Sequence, residues 1–363
     1  MTIMEDIELR GCSLDELIEI CQGIGLKRYR ATQLFQWVQQ KAVRSWNDMR
    51  NLGEADLRTL SSHFQFYPLE LVREQRSKDG TRKYLFRLHD GETIECVLMD
   101  YERTMTRDRH TICLSTQVGC AVGCAFCATG LEGFRRNLSV GEIVGQVLDI
   151  THSVRREDPD FQVTNIVFMG MGEPLLNYDQ VLKAIQLLNH EQGQKIGMRR
   201  MTISTSGVVP RIIQLAKDNP QVGLAISLHA AQDNVRNQLV PMNRRYPLAS
   251  LMEACEEYIR ITRRRVTFEV ALTSENARNE EAKAFVRLLK GHLGYVNLIP
   301  VNPVAGTGME RPTSEQIKRF AQVLENAGIS VFSREERGTD IDAACGQLRR
   351  LWESEDNEPI GPI

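Results

Sequence analysis

The feature that most constrains the fold of this 363-residue chain is an alternation of strand-like and helix-like segments that begins near residue 111. Short runs of aliphatic and β-branched residues alternate with longer amphipathic stretches, one of which opens with the capping box formed by Ser139 and Glu142. The predicted strands lie at 111–116, 165–169, 201–205, 223–228, 266–272, 295–300 and 330–333. Six or seven such units predict an α/β fold whose parallel sheet forms a partial, TIM-like (β/α)6 barrel.

Two smaller units precede this region. Ser13 and Glu16 form a capping box at the start of an amphipathic helix, and the pattern remains helical to about residue 40. Short extended runs separated by glycine-containing turns then predict an antiparallel β extension. The expected domains are a helical, RNA-binding accessory domain at 1–66, the β extension at 67–105, the core barrel at 106–348 and a C-terminal tail at 349–363.

The composition is typical of a cytoplasmic globular protein. The chain is 42% hydrophobic and 25% charged, which is enough apolar content for a large core. Its longest apolar stretch, 163–172, is too short to span a bilayer, and the N-terminus lacks the layout of a signal peptide. A net charge of -2 does not indicate general polyanion binding, and short basic runs such as 263–265 are individually typical of solvated helix ends.

Three of the nine cysteines are spaced as ligands of one metal centre. Cys120, Cys124 and Cys127 form a C-x3-C-x2-C run in a glycine-rich loop directly after a predicted strand. Structural zinc sites usually need four ligands in two pairs, and no second pair is present. Ferredoxin clusters also use four cysteines, and a C-x-x-C redox pair remains the other alternative. Three cysteines leave one iron of a [4Fe–4S] cluster open to the amino and carboxylate groups of S-adenosylmethionine (SAM).

This run resembles the cysteine motif of the radical SAM superfamily, and Phe126 beside the third cysteine fits the same pattern. The resemblance implies two cofactors, one [4Fe–4S] cluster bound by the three cysteines and SAM. The segment Gly-Met-Gly-Glu-Pro at 170–174 is similar to the turn after the second strand of that superfamily, which receives the amino group of SAM. Chemistry is then expected at the carboxyl ends of the strands.

Six further segments, spread over nearly the whole chain, resemble the RlmN/Cfr methyltransferases. They are Ser-Thr-Gln-Val-Gly-Cys at 115–120, and the segments at 168–177, 204–210, 225–230, 297–303 and 340–348. This family methylates an unactivated carbon of adenine 2503 in 23S rRNA, at C2 in the RlmN branch and at C8 in the Cfr branch. Pro174 and Ser206 follow the RlmN form, which favours C2. Methylation of tRNA by some members leaves tRNA open as a second substrate.

The resemblance also implies roles for individual residues. Cys345 would take a methyl group from one SAM, a radical from a second SAM would abstract hydrogen from it, and Cys113 would later attack the sulfur of Cys345 to free the RNA. Glu95 matches the proposed proton acceptor, although its strand position alone indicates a solvent-facing residue. His229 by itself could equally be a core histidine. The implied SAM contacts are Gly172, Glu173, Ser204, Ser227, Leu228, His229 and Asn302.

The implied partners are 23S rRNA and an electron donor such as flavodoxin or ferredoxin, and a monomer suffices. One rival hypothesis is a radical SAM enzyme with a different substrate, which would have no use for the pair Cys113 and Cys345. The other is a non-enzymatic iron–sulfur or RNA-binding protein, in which replacement of Cys345 would have no effect.

Overall fold

A computed structural model describes residues 7–101, 109–302, 307–333 and 337–348, so the predicted tail at 349–363 lies outside the described residues. The described strands are β1 (Ile7–Glu8), β2 (Phe64–Gln65), β3 (Glu70–Arg76), β4 (Arg82–Arg87), β5 (Thr93–Tyr101), β6 (Arg109–Cys113), β7 (Gln117–Gly119), β8 (Phe134–Asn137), β9 (Asn165–Phe168), β10 (Met201–Thr205), β11 (Gly223–Ser227), β12 (Val266–Leu272), β13 (Gly294–Pro300) and β14 (Ser330–Ser333).

The helices lie between these strands in the predicted alternation. They are α1 (Leu14–Gly23), α2 (Arg28–Phe35), α3 (Glu54–Ser61), α4 (Ala128–Leu131), α5 (Val140–Val154), α6 (Tyr178–Asn189), α7 (Val209–Asp218), α8 (Asp233–Leu239), α9 (Leu248–Thr262), α10 (Asn279–Leu289) and α11 (Ser314–Asn326). Within the described ranges, no helix combines the length and the apolar character needed to cross a membrane.

Among the described residues, the central sheet has ten strands in the order β14-β13-β12-β11-β10-β9-β6-β5-β4-β3. The strands from β14 to β6 are parallel, and the carboxyl ends of parallel strands lie at the same end of a sheet. These seven described parallel strands and the six crossovers between them confirm the predicted α/β alternation. Within the described ranges the sheet ends at β14 and at β3, as expected for a partial barrel.

The predicted β extension continues this same sheet. Strands β3, β4 and β5 pair in antiparallel fashion, and β5 pairs with β6, the first parallel strand. In an antiparallel pair, residues directly opposite each other point to the same face. The extension therefore places β5 directly beside β6, with Val97 opposite Cys113, and places β4 on the far side of β5.

The predicted strand at 111–116 is shorter at its carboxyl end in the structure, because residues 114–116 lie outside any strand, and a separate short strand follows at 117–119. Strand β6 ends at Cys113, and the amides of Thr116 and Gln117 both donate to the carbonyl of Met171, at 2.8 Å and 3.2 Å, which leads the chain into β7. Strand β7 pairs with β8, so this hairpin brackets the cysteine run. Gly119 has a φ of 73°, and a Cβ there would lie 1.8 Å from the Gly133 carbonyl oxygen, so only glycine fits.

The helical unit predicted at 1–66, which we call the N-terminal module, packs against α5 through a buried ion pair. The Arg10 guanidinium donates to both Asp149 carboxylate oxygens, at 2.6 Å and 2.8 Å, and both side chains are fully buried. Asp149 also accepts from the Leu69 amide at 2.9 Å and pairs with Arg44 at 3.1 Å. Besides its helices, the module contains the short parallel pair of β1 and β2. The sequence did not predict this strand pair, because two-residue strands carry too little periodicity.

Candidate active site

A cavity of about 160 Å³ lies at the carboxyl ends of the parallel strands. We call it the cluster cavity, and Cys120, Cys124 and Cys127 line one side of it. Six of the seven SAM contacts that the sequence implied also line it: Gly172, Glu173, Ser204, Ser227, His229 and Asn302. Leu228 is fully buried and does not line the cavity; its amide donates to the Glu269 carbonyl at 3.0 Å.

The three cysteines of the cluster cavity lie close enough to influence one another electrostatically. Burial raises the pKa of the Cys120 thiol to about 12, and thiolate repulsion from Cys127 adds to this shift. In the described part of the chain, no three His, Cys, Asp or Glu side chains converge to hold a single metal ion. In an iron–sulfur cluster each cysteine bonds a different iron, so three separated thiols facing one cavity fit a cluster better than a single ion. A bound cluster would hold them as thiolates.

Glu173 places a buried carboxylate at the edge of the cluster cavity. It is 3% exposed and accepts hydrogen bonds from the amide and hydroxyl of Ser206, both at 2.7 Å, and from the Leu175 amide at 3.0 Å. Burial nevertheless raises the pKa of the Glu173 carboxyl. A buried carboxylate that lines the cavity fits the role of receiving the amino group of SAM.

Gly172 shapes the backbone next to this carboxylate. Its φ is 103°, a conformation that favours glycine, and an added Cβ would lie 2.6 Å from the Gln117 Cβ. The Gln117 side chain in turn accepts a hydrogen bond from the Glu173 amide at 2.9 Å. The turn after β9 is therefore fixed against β7, and Gly172 allows the close approach.

Two serines and a carboxylate line the opposite side of the cluster cavity. The Ser204 hydroxyl donates to the Glu269 carboxylate at 2.9 Å and lies 3.4 Å from the Ser227 hydroxyl. Glu269 is 5% exposed and lies on β12, where Phe268 and Val270 point to the other face. The sequence analysis missed Glu269, although a lone carboxylate within the otherwise apolar strand 266–272 is a signal that could have identified it.

His229 is a buried, neutral side chain of the cavity wall. Its ring contacts Phe126 edge-on at 4.5 Å, and its Nδ1 accepts a hydrogen bond from the Ala271 amide at 3.0 Å. Burial, with a smaller effect of the Arg236 charge, lowers the pKa of His229 to about 3. His229 therefore combines the two interpretations made from the sequence, since it is a core histidine that also faces the candidate SAM site.

Arg236 is a second residue that the sequence analysis missed. It is fully buried on α8 and donates hydrogen bonds to the carbonyls of Ser206 at 2.7 Å, Ser227 at 3.0 Å and Leu228 at 2.9 Å. It also donates to the side-chain oxygen of Asn243 at 2.8 Å. Arg236 thus ties together the turns after β10 and β11 that line the cluster cavity.

A smaller cavity of about 40 Å³, the thiol cavity, adjoins the cluster cavity. Its lining includes Cys113 from the end of β6, Val97 and Met99 from β5, and Cys345. Cys345 lines both cavities, whereas Cys113 lines the thiol cavity.

Glu95 lies on the same face of β5 as Val97 and Met99, and Cys96 lies on the other. It is 2% exposed, so the interpretation of Glu95 as a solvent-facing strand residue is wrong. Its carboxylate forms an ion pair with Lys83 of β4 at 3.1 Å, and the Lys83 side chain is equally buried. The sequence could not show this, because Lys83 meets Glu95 only when β4 and β5 pair in this register.

The C-terminal segment, residues 337–348, holds Cys345 in place from two sides. The turn between β3 and β4 binds one part of it, with the Ser77 hydroxyl donating to Asp340 at 2.6 Å and the Gly338 amide donating to Asp79 at 2.8 Å. The loop of the cluster cysteines binds the other part. There the Ala128 amide donates to the Gly346 carbonyl at 2.8 Å, and the Thr129 hydroxyl donates to the Leu348 carbonyl at 2.6 Å.

The basic runs do not all lie near these cavities. Arg263–Arg265 directly precede β12, which places them at the end of the parallel strands opposite the cavities. Arg264 and Arg265 line a separate cleft there together with Arg199. Arg244 and Arg245 instead follow β11 and α8, are exposed, and lie on the connection from the cavity end of the sheet.

Comparison with known proteins identifies the class. Residues 114–286 match the family model of the Radical SAM superfamily, and residues 7–65 match the ribosomal RNA large subunit methyltransferase N-terminal domain. The crystal structure of a radical SAM methyltransferase from Sphaerobacter thermophilus has a TM-score of 0.90 at 45% identity, covering 95% of this chain and 99% of that chain. Fold and site together define a radical SAM enzyme, which uses a [4Fe–4S] cluster and SAM.

Sequence relatives identify the family within that class. A protein of Desulfitobacterium hafniense (strain DSM 10664 / DCB-2), named probable dual-specificity RNA methyltransferase RlmN, is 65% identical over 98% of this chain and 99% of its own length. A protein of the same name from Heliobacterium modesticaldum is 51% identical over 96% of this chain and 91% of its own length. The chain belongs to the RlmN family of radical SAM RNA methyltransferases, which confirms the resemblance found in the sequence.

Proposed function

We propose that this enzyme methylates C2 of adenine 2503 in 23S rRNA and that Cys345 carries the methyl group. The observation that carries this proposal is the position of Cys345, which lines both the cluster cavity and the thiol cavity. A thiol at this boundary can meet SAM on one side and Cys113 on the other. A radical SAM enzyme without a protein-bound methyl intermediate would not need this arrangement.

The nature of the target carbon explains why a cysteine is needed. Adenine C2 is not nucleophilic, so it cannot attack the methyl group of SAM directly, whereas a cysteine thiolate can. When bound, the cluster and SAM supply the radical that activates the methyl group on Cys345. The Cys113 thiolate then attacks the sulfur of Cys345, so that an S–S bond forms and the bond from that sulfur to the carbon attached to the RNA breaks. That carbon keeps the electron pair and takes up a solvent proton, which completes the methyl group. Glu95 accepts the proton that the modified ring carbon loses.

The RNA must approach from the end where the two cavities open. Phe134 of β8 is 46% exposed beside the loop of the cluster cysteines, and an exposed aromatic ring can stack on an unpaired base. Arg244 and Arg245 can contact backbone phosphates near the same end, which favours them over Arg263–Arg265 as RNA contacts. A reactive base must leave its stack to reach a buried thiol, so we propose a single-stranded or flipped adenine as substrate.

We propose tRNA as a second substrate, since the relatives are named probable dual-specificity RNA methyltransferases. We propose an electron donor of the flavodoxin or ferredoxin type, since the reaction consumes electrons that the chain itself does not supply.

The alternative to 2-methyladenosine as the product is 8-methyladenosine. Pro174 and Ser206 favour C2, and Ser206 has a clear structural role here because it donates two hydrogen bonds to Glu173.

The test is mass spectrometry of nucleosides from 23S rRNA and tRNA after anaerobic incubation with reconstituted enzyme, SAM and a reductant. We expect 2-methyladenosine from 23S rRNA with wild type and none with the Cys345→Ala variant. The Cys255→Ala variant is the matched control, because Cys255 is a buried cysteine on α9 that lines neither cavity. Formation of 8-methyladenosine would contradict the C2 assignment, and unchanged methylation by Cys345→Ala would contradict the methyl carrier.

A further inference from the structure

We propose that Lys83 is a positioning residue for the RNA methyltransfer step, holding the Glu95 carboxylate in its ionised form beside the segment that carries Cys345. This inference rests on the proposed function, since it gives Glu95 the role of proton acceptor. Lys83 matched no functional position in the sequence analysis. The pairing of β4 and β5 sets the position of its ammonium group.

The sheet register brings Lys83 and Glu95 together. Lys83 lies directly opposite Val97, and Leu85 lies opposite Glu95, so Lys83 and Glu95 are diagonal neighbours on one face. A diagonal cross-strand pair is within reach of a long side chain. The Lys83 ammonium lies 3.1 Å from a Glu95 carboxylate oxygen, and the side chains are 3% and 2% exposed. Charges this deeply buried are costly unless they are paired.

A second contact of the same ammonium reaches the C-terminal segment. Lys83 Nζ donates to the Asp342 carbonyl at 3.4 Å, and Asp342 lies three positions before Cys345. Thr81, two residues before Lys83, packs against Gly338 at the start of that segment. Lys83 therefore contacts both the proposed base and the backbone that leads to the proposed methyl carrier.

The proton transfer defines what Lys83 contributes. When the modified ring carbon is deprotonated, its C–H bond breaks, the electron pair of that bond stays in the adenine ring, and an O–H bond forms on Glu95. Glu95 must begin this step as a carboxylate, and a neighbouring ammonium favours that form. Methyl transfer from SAM to Cys345 involves no such proton, so it should not depend on Lys83.

Further ionisable groups of the described residues lie along the thiol cavity near this pair. The thiol cavity beside Glu95 is lined by Cys113 of β6 and by Arg337 and Cys345 of the C-terminal segment. The two thiols carry no positive charge, and the Arg337 guanidinium donates to the carbonyls of Asp79 and Asp100 and lies over the Tyr101 ring. Met171 from the turn after β9 approaches Glu95 with a neutral thioether. Lys83 is the cation for which the structure gives an ion pair with Glu95.

The experiment compares Lys83→Met and Lys83→Arg with wild type in two half-reactions under anaerobic conditions. Peptide mass spectrometry measures methylation of Cys345 in the absence of RNA, and nucleoside mass spectrometry measures 2-methyladenosine across a pH series. For Lys83→Met we expect Cys345 methylation within about twofold of wild type and RNA methylation lower by at least about 30-fold, with accumulation of the covalent RNA–protein adduct. We also expect the acidic limb of its pH profile to move to higher pH, because a carboxylate without its cation is harder to ionise. Lys83→Arg should restore RNA methylation at least about tenfold relative to Lys83→Met.

The matched control is Arg87→Met, which removes a partly exposed cross-strand ion pair with Glu70 from the same strand, β4. It should leave both half-reactions and the pH profile unchanged. Equal loss of Cys345 methylation and RNA methylation in both Lys83 variants, or an unmoved acidic limb in Lys83→Met, would overturn the inference. Absence of 2-methyladenosine with wild-type enzyme would instead contradict the proposed function, so the two failures are distinguishable.

Discussion

Cys113 at the end of β6 and Cys345 in the C-terminal segment line one cavity of about 40 Å³, although most of the barrel separates them in sequence. The pairing of β5 with β6 places Cys113 at this cavity, and hydrogen bonds to the turn after β3 and to α4 place Cys345 there. Two thiols at one cavity can exchange a bond with each other. Under the proposed function, this pair is what distinguishes the enzyme from radical SAM enzymes that need only the cluster cysteines.

Cys113→Ala should stop the reaction after the RNA has become attached to the protein. Without the attacking thiolate, the bond between Cys345 and the RNA cannot be broken, so 2-methyladenosine should fall by at least about 100-fold. A denaturing gel with labelled RNA would show the adduct as a retarded band. Cys255→Ala serves as the control, and normal product formation by Cys113→Ala would exclude Cys113 as the resolving thiol.

Glu173→Gln should weaken SAM binding about 10-fold or more, because it removes the negative charge expected to meet the amino group of SAM. The side chain keeps its size and can still accept hydrogen bonds from Ser206. Calorimetric titration of SAM into anaerobically reconstituted protein measures the change. Glu191→Gln, at an exposed site, should bind SAM as wild type does, and equal affinity for both variants would remove Glu173 from the SAM site.

Gly172→Ala should destabilise the protein by about 2 kcal/mol or more, because it combines an unfavourable φ with a steric clash. The added Cβ would lie 2.6 Å from the Gln117 Cβ. Gly197→Ala is a suitable control because its φ is -61° and an added Cβ there has no neighbour within 4 Å. Thermal unfolding under anaerobic conditions should show a lower Tm for the first variant only.

Asp149→Asn should destabilise the N-terminal module by about 3 kcal/mol, because it leaves the buried guanidinium of Arg10 without its charged partner. The same carboxylate also pairs with Arg44, so the substitution removes the charge from two ion pairs. Limited proteolysis would detect release of the module. Asp179→Asn, an exposed change in the first turn of α6, should leave the protease pattern unchanged.

His229 should make stability depend on pH. Its pKa is about 3 in the folded protein and about 6.5 when unfolded, so the unfolded chain binds the proton first as the pH falls. The resulting stability is fully present above about pH 6.5 and is lost progressively toward pH 3, by about 2 kcal/mol between pH 7 and pH 5. Urea unfolding at several pH values should show a smaller loss for His229→Asn, a residue that tolerates the φ of 59° at this position.

Much of the architecture could be predicted from periodicity. Strands β10, β12 and β14 match their predicted bounds, and β9, β11 and β13 agree to within one residue. Buried parallel strands such as β12 are rich in apolar residues, which makes them recognisable in the sequence. The early end of the first parallel strand, at Cys113 instead of residue 116, was missed. It depends on the Met171 carbonyl, which lies more than fifty positions away and reaches Thr116 and Gln117 only in the folded chain.

The candidate site was predictable where a residue belongs to a local pattern. The cluster cysteines and the turn containing Glu173 are short motifs, so their residues could be named from the sequence. Lys83, Glu269 and Arg236 belong to no such motif. Their roles come from burial and from partners on other strands or loops, as in the contacts of Lys83 with Glu95 and of Arg236 with Ser206. A one-dimensional pattern does not contain this information.

The most direct test of Cys345 as methyl carrier uses SAM with a fully deuterated methyl group. If the methyl passes through Cys345, one deuterium is abstracted there and a solvent proton later replaces it, so the product should carry two deuterium atoms on its methyl group. The Cys345 peptide isolated before RNA is added should carry the fully deuterated methyl. Methyladenosine that retains all three deuterium atoms, or a Cys345 peptide that remains unmethylated while product forms, would contradict this account.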